Sequence, residues 1–289
     1  MDAGQVRIGL IQMACEAAPG ANLEKAQGRI EEAAGRGAEV VCLQELYRSQ
    51  YPCQSEKESN FDLAEPIPGP TTETLGRLAA ARKVVIIAPI FERRAAGVYH
   101  NSAVVIDQSG SIIGHYRKMH IPDDPGYYEK FYFAPGDLDF IAHRTSRASL
   151  GVLICWDQWF PEAARLTALA GAQILFYPTA IGWTADMSQR TRTRMHDAWE
   201  TAQRAHAIAN GVFVAAVNRV GVEGEIEFWG GSVVSDPFGE VLARAGHSQE
   251  ETLVVDCDLN RIEHTRRNWP FLRDRRVDAY HDLTRRYRN

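Results

Sequence analysis

Residues 150–154 read Leu-Gly-Val-Leu-Ile, an apolar, partly β-branched run typical of a buried strand, and the run stops at Cys155. Pro161 followed by Glu162-Ala163-Ala164-Arg165-Leu166 then opens a helix, because proline is tolerated in the first helical turn and glutamate suits the positive helix end. A buried strand feeding a helix through a tight turn confines the chain to layered α/β architectures. It also places Cys155 at the junction, where a nucleophile can be held rigidly with its sulfur open to a cleft. A buried free cysteine fits the same pattern, since cysteine is among the most buried residue types.

The alternation recurs along the chain. Residues 6–11 predict a strand, and Asn22 is positioned to cap a helix carrying Leu23, Ala26, Ile30, Ala33 and Ala34 on one face, closed by Gly35 and Gly37. Residues 40–43 predict a second buried strand that delivers Gln44-Glu45. A helix over 71–83 and a strand over 84–90 follow, then antiparallel strands over 101–106 and 111–121 with Lys118 at the far end of the second. The aromatic, proline-containing segment 121–135 reads as a loop and a candidate wall for a site. Beyond it come a helix over 161–170, a strand over 174–177, a polar loop over 182–189 and a long helix ending at Asn210-Gly211. Further strands are expected at 212–217, 230–236, 241–243 and 252–257.

The sum is an α/β protein with large mixed sheets and helices outside, read as one domain over 1–289 because no linker stands out. From about residue 261 the chain is arginine-rich, nine arginines against four acids, which reads as a solvated tail. A net charge of −5 argues against a general nucleic-acid or acidic-membrane binder, and no run approaches a membrane span. Cys15, Cys42, Cys53, Cys155 and Cys257 are odd in number and widely spaced, without a C-x-x-C pair. With no export signal at the N-terminus, that usage suggests reduced thiols in the cytoplasm.

Three reactive residues each follow an apolar strand: Glu45, Lys118 and Cys155. Sheet-end positions on different strands can converge in space. A thiol needs a base to become a thiolate and a nearby cation to stabilise it, and a glutamate with a lysine would serve. Spacing alone leaves open whether the three meet. No histidine pattern of the H-E-x-x-H kind points to a metal.

The segments Leu43-Gln44-Glu45-Leu46, Tyr116-Arg117-Lys118-Met119-His120 and Cys155-Trp156-Asp157-Gln158-Trp159-Phe160-Pro161-Glu162 resemble the three signature regions of the nitrilase, or carbon–nitrogen hydrolase, superfamily, and the likeness spans nearly the whole chain. Within it, His120-Ile121-Pro122-Asp123, Pro125-Gly126-Tyr127, Glu129-Lys130, Tyr132-Phe133, Pro135-Gly136-Asp137 and the run from Leu175 to Gly182 are most similar to the N-carbamoylputrescine amidases. The resemblance implies a four-layer α-β-β-α sandwich with two mixed sheets, paired into homodimers or larger homo-oligomers. It implies Cys155 as nucleophile, Glu45 as general base and then acid, Lys118 as the transition-state cation, Glu129 as a second glutamate that orients the site, and the Trp156 N–H as an oxyanion donor. No metal or organic cofactor is implied.

The implied substrate is N-carbamoylputrescine, cleaved to putrescine, carbon dioxide and ammonia. Its ammonium would need an aromatic face or a carboxylate to replace its hydration, from Tyr127, Trp183, Asp123, Asp124 or Asp186, with Thr179 and Ala180 also lining the site. The sequence departs from these amidases after Gly182, where residues 182–192 hold a single acid, Asp186, and the arginines Arg190 and Arg192. The main alternative is therefore an amidase for another N-carbamoyl compound or ω-amide, such as N-carbamoyl-β-alanine. A nitrilase and a non-catalytic metabolite-binding member stand further off.

Overall fold

The computed structural model describes residues 4–288; residues 1–3, where an export signal would start, and residue 289, the end of the expected domain, lie outside the described residues. The elements in order are β1 (Gln5–Gln12), α1 (Pro19–Gly35), β2 (Val40–Leu43), α2 (Pro70–Arg82), β3 (Val85–Ala95), β4 (Val98–Ile106), β5 (Ile112–Arg117), α3 (Glu129–Tyr132), β6 (Ala142–Arg144), β7 (Ser149–Val152), α4 (Pro161–Leu169), β8 (Ile174–Pro178), β9 (Gly182–Thr184), α5 (Gln189–Asn210), β10 (Phe213–Val217), β11 (Val220–Glu223), β12 (Ile226–Trp229), β13 (Val233–Ser235), β14 (Val241–Arg244), β15 (Glu251–Asp258) and α6 (Asn260–Asn268).

Two six-stranded mixed sheets, ordered β15-β1-β2-β3-β4-β5 and β14-β13-β10-β8-β7-β6, stack face to face. The period-two geometry of a strand explains the layering. In β2, Val40 and Cys42 join the core between the sheets with Leu150, Val152, Phe176 and Val214, whereas Val41 and Leu43 face Ala26, Ile30 and Ala33 of α1 and Leu75 and Ala79 of α2. On the far side, α5 lies against β10 and α4 against β8. The result is the expected α-β-β-α sandwich. Each sheet also has the same pairing sequence. Read from β15 it runs antiparallel, parallel, parallel, antiparallel, antiparallel, and read from β6 the second sheet repeats it.

Four local expectations are corrected. Helix α1 starts at Pro19 with Ala18 as its cap position, and Asn22 is buried, bonding Glu16 and the Arg48 carbonyl instead of capping. The loop expected over 182–189 begins as strand β9, which pairs with β12 of the β11–β12 hairpin in a third sheet. The segment 121–135 is not wholly loop: it holds the single turn α3. The arginine-rich end is not simply a solvated tail, since it starts as α6, which buries Ile262 and Thr265 and sets the Arg266 guanidinium on the Asn210 carbonyl.

Gly151 fixes how closely α4 approaches β7. A β-carbon there would lie 2.5 Å from Thr167 Cγ2 and 2.6 Å from Leu175 Cδ2. Thr167 is β-branched and its hydroxyl is bonded to the Ala163 carbonyl, so it has little freedom to move aside. Gly151→Ala is expected to lower stability by about 1–3 kcal/mol through overpacking, seen as a lower urea midpoint with an unchanged slope. An unshifted midpoint would show that α4 and β7 separate freely.

Candidate active site

Beyond β7 the chain makes one more sheet bond, from Leu153 N–H to the Phe176 carbonyl at 3.0 Å, and then turns into a 3₁₀ helix over Cys155–Trp159. Cys155 begins it with φ of +42°, a left-handed conformation that costs a residue with a side chain about 1–2 kcal/mol. Asp157 is placed to hold that turn. Its Oδ2 accepts from the Ile154 N–H at 2.8 Å and the Tyr116 hydroxyl at 2.7 Å, and its Oδ1 lies 3.0 Å from the His120 N and 2.7 Å from His120 Nδ1. Gln158 ties the same turn to α5, with its Oε1 accepting from Trp199 Nε1 at 2.7 Å and Gln203 Nε2 at 2.8 Å. The Cys155 Sγ is 3.8 Å from the Ala180 carbonyl oxygen, and the residue is only 4% exposed. Trp156 stands in the first turn of the 3₁₀ helix, where backbone N–H groups have no partner inside the helix.

Glu45, Lys118 and Glu129 meet beside this turn. Lys118 follows β5 directly, and its N–H bonds the Asn101 carbonyl at 2.8 Å, which aims the side chain along the sheet end. Its Nζ lies 2.8 Å from Glu45 Oε1 and 2.8 and 2.7 Å from the two oxygens of Glu129. Asn101 Nδ2 donates to Glu45 at 2.7 Å and to Glu129 at 3.3 Å, and the Tyr51 hydroxyl donates to Glu129 at 2.7 Å. Glu45, Lys118 and Glu129 are essentially inaccessible to solvent. The second oxygen of Glu45, Oε2, is buried with no hydrogen-bond partner.

The electrostatics follow from two carboxylates sharing one ammonium out of water. Burial, with Glu129 adding to it, raises the Glu45 carboxyl above its ordinary range against the pull of Lys118. Burial alone would lower Lys118, but Glu129 and Glu45 more than reverse that and hold its ammonium charged. Burial and then Glu45 push the Cys155 thiol well up, against the downward pull of Lys118. At rest, therefore, the proton is held on the Cys155 sulfur.

The other expected residues are placed more loosely. Tyr127 accepts from the Gly182 N–H at 3.0 Å, and its ring sits 5.5 Å from that of Tyr51, so it joins the strand after Ala180 to the Glu129 side. Thr179 is fully buried and its hydroxyl is turned to the Tyr177 carbonyl and Gln158. Trp183 packs 5.3 Å from Trp229 with the Arg192 guanidinium 5.4 Å over its ring. Arg192 is further tied to Glu227 at 2.6 Å and the Thr184 carbonyl at 3.2 Å. Asp123, Asp124 and Asp186 are exposed, Asp186 bonded to the Thr184 hydroxyl, and no bond joins them to the Lys118 cluster. A groove of about 470 Å³ opens beside Trp156, walled also by His120, Lys130, Phe133 and Phe160. Among the described residues, no three His, Cys, Asp or Glu side chains gather as a metal site would need.

Sequence reasoning missed Asn101, Tyr51 and Arg219. Applied to residues 212–217, the rule that flagged the polar pair Gln44-Glu45 after residues 40–43 finds the pair Asn218-Arg219. Asn101 and Tyr51 carry no such signal, because each is one polar residue within an ordinary strand or loop.

Comparison with known proteins gives this geometry a context. The carbon-nitrogen hydrolase family profile matches residues 7–267. An N-carbamoylputrescine amidase of Solanum lycopersicum is 43% identical over 95% of this chain and 93% of its own length, and a citrullinase of Francisella tularensis is 38% identical over 98% and 99%. The crystal structure of a carbon-nitrogen hydrolase from Helicobacter pylori superposes with a TM-score of 0.95 at 49% identity, covering 98% of this chain and all of that one. With two six-stranded sheets between helices and a family match over most of its length, this chain belongs to the carbon-nitrogen hydrolase family and is a hydrolase that acts on amides.

Proposed function

We propose that this protein hydrolyses N-carbamoylputrescine through a thioester on Cys155. One observation carries the chemistry: Glu45 spends one oxygen on Lys118 and keeps the other, unpartnered and buried, for a proton. Glu45 Oε2 takes the thiol proton as Sγ attacks the ureido carbonyl. The raised affinity of Glu45 for a proton suits that transfer. Negative charge gathers on the carbonyl oxygen, where the Lys118 ammonium and the Trp156 N–H receive it. Glu45 returns the proton to the departing nitrogen, ammonia leaves, and the carbamoyl group stays on Cys155. Water, giving its proton to Glu45, then attacks the thioester carbonyl; the C–S bond breaks, Glu45 returns the proton to the Cys155 sulfur, and the released carbamate decays to putrescine and carbon dioxide. Glu129 holds Lys118 in line throughout.

The substrate rests on the identity to N-carbamoylputrescine amidases over nearly the full length. The packing of Arg192 against Trp183 and Glu227 supports an amine-ended substrate over a carboxylate-ended one, because this arginine already has its partners. The exposed Asp123, Asp124 and Asp186 then supply negative charge for the distal ammonium. The citrullinase relative favours a second reading, in which the distal end bears both an amine and a carboxylate. Reduced thiols suit a cytoplasmic setting, and the exposed apolar side chains Leu166, Leu169, Phe238 and Trp269 support a homodimer or larger homo-oligomer built from one hydrolase domain per chain.

The deciding measurement is ammonia release with N-carbamoylputrescine, citrulline and N-carbamoyl-β-alanine side by side. The expected order of kcat/KM puts N-carbamoylputrescine first and N-carbamoyl-β-alanine last; preference for citrulline would replace the substrate and keep the chemistry. Cys155→Ala should abolish turnover with the fold intact. Glu45→Gln and Lys118→Ala should each lower kcat by roughly 10²-fold or more, the scale of losing an oxyanion donor. Combining them should add little, as expected of groups acting in one transition state. Independent, multiplicative losses would contradict a shared transition state.

The pH profile supplies a separate check. A base whose carboxyl is raised by burial loses its working, deprotonated form as pH falls through that raised value. The acid limb of kcat/KM should therefore lie above 4.5, the ordinary value for a glutamate, and should vanish in Glu45→Gln. A limb at or below that value in the unmodified protein would remove Glu45 from the role.

A further inference from the structure

Arg219 is fully buried, yet it stands outside the charge cluster and the chemistry given above does not use it. It lies beyond the end of β10, in the sheet where Cys155 lies beyond the end of β7, while Glu45 lies beyond the end of β2 in the other sheet. One guanidinium nitrogen donates to two consecutive carbonyls, those of Glu45 at 2.9 Å and Leu46 at 3.0 Å. In an extended strand successive carbonyls point to opposite sides. Here they converge on one nitrogen because Leu46 turns to φ of +47°, a left-handed conformation that a leucine adopts only when its surroundings impose it. The other nitrogen donates to both oxygens of Glu223, at 2.8 and 2.9 Å, and to the Ser49 carbonyl at 3.3 Å.

Glu223 continues the chain of contacts. Its Oε2 also accepts from the Tyr51 backbone N–H at 2.5 Å, and the Tyr51 hydroxyl donates to Glu129. The Phe228 and Tyr51 rings flank the guanidinium at 5.1 and 5.8 Å. A buried ion pair of this kind is not in itself a source of stability, since desolvation of both charges offsets most of their attraction. What it does supply is geometry: a planar fork with fixed donor directions, joined to the backbone of one carboxylate and, through one tyrosine, to the side chain of the other.

We propose that Arg219 and Glu223 are the positioning pair of the active site, with Arg219 fixing Glu45 through its main chain and Glu223 fixing Glu129 through Tyr51. This rests on the reading of Glu45 as the base and Glu129 as the group that orients Lys118. It goes beyond that reading by assigning the alignment of both carboxylates to one ion pair on a different strand. Neither residue touches the reacting atoms.

The test is a kinetic cycle on the best substrate of the ureido panel, with melting curves as the folding control. Arg219→Lys keeps the charge but cannot serve two carbonyls and a carboxylate from a fixed plane, so kcat should fall by about tenfold or more with KM within about threefold. In a Glu45→Asp background, whose shortened carboxylate is already displaced, the same change should cost less than about threefold, because residues acting through one another are not additive. Tyr51→Phe, which removes a single hydroxyl, should lower kcat by about fivefold or more with KM unchanged, and adding it to Glu223→Gln should cost little further.

A multiplicative loss in the Glu45→Asp background, or equal changes in kcat and KM, would overturn the proposal and leave Arg219 a structural ion pair. If Arg219→Lys fails to fold, Tyr51→Phe decides alone, and an unchanged kcat there overturns the assignment. Should Glu45→Asp and Glu45→Gln both retain full ammonia release, the underlying reading of Glu45 falls instead, a result distinct from any of these.

Discussion

A lysine ammonium out of reach of water sets the terms for the whole site. Lys118 has three donors, and the cluster gives it three short contacts from Glu45 and Glu129, so its charge is matched and its direction fixed. The match is deliberately unequal in charge: two carboxylates face one cation. The two carboxylates keep Lys118 protonated, while burial first, and then the neighbouring carboxylate, lifts Glu45 and holds the proton on Cys155. Removing one carboxylate would change the other members as well, which is why these groups are better regarded as one unit than as three separate residues.

The fold delivers that unit by using the same device twice. Both six-stranded sheets share one pairing pattern, each with two successive parallel joins crossed by a helix. Parallel strands with helical crossovers leave their C-terminal ends side by side, and ligand sites in open α/β sheets form there. Glu45 leaves the end of β2 in one sheet, and Cys155 and Arg219 leave the ends of β7 and β10 in the other. Facing the sheets across a shared core brings these ends into one cleft. No sequence repeat accompanies the repeated topology, because the core asks only for apolar residues at alternate positions and many sequences meet that demand.

Much of this was legible in the chain and some was not, for physical reasons. Short apolar runs such as residues 40–43 and 150–154 announce buried strands, and the polar residue that ends each run marks a sheet end. The N-terminus of α1 was misread at Asn22 because a cap and a buried amide that bonds loop backbone call for the same residue type. Strand β9 was missed because three residues carry no periodicity, and β11–β12 because Gly224 and its neighbours resemble any polar turn. Asn101 could not have been singled out: its role depends on Glu45 and Glu129 lying on either side of it, a fact of tertiary structure alone.

The depth of burial also settles an apparent conflict in the chemistry. A thiolate is the better nucleophile, yet the surroundings of Cys155 disfavour one at rest. Ionising it alone would add a second net negative charge to a cluster that already carries an excess. On the proposed pathway that charge does not stay on sulfur, because it moves to the carbonyl oxygen as the bond forms, toward Lys118 and the Trp156 N–H. The proton goes to Glu45, whose affinity for it is already raised and whose free oxygen has nothing else to bond. The same burial that suppresses the thiolate thus favours transfer in step with attack.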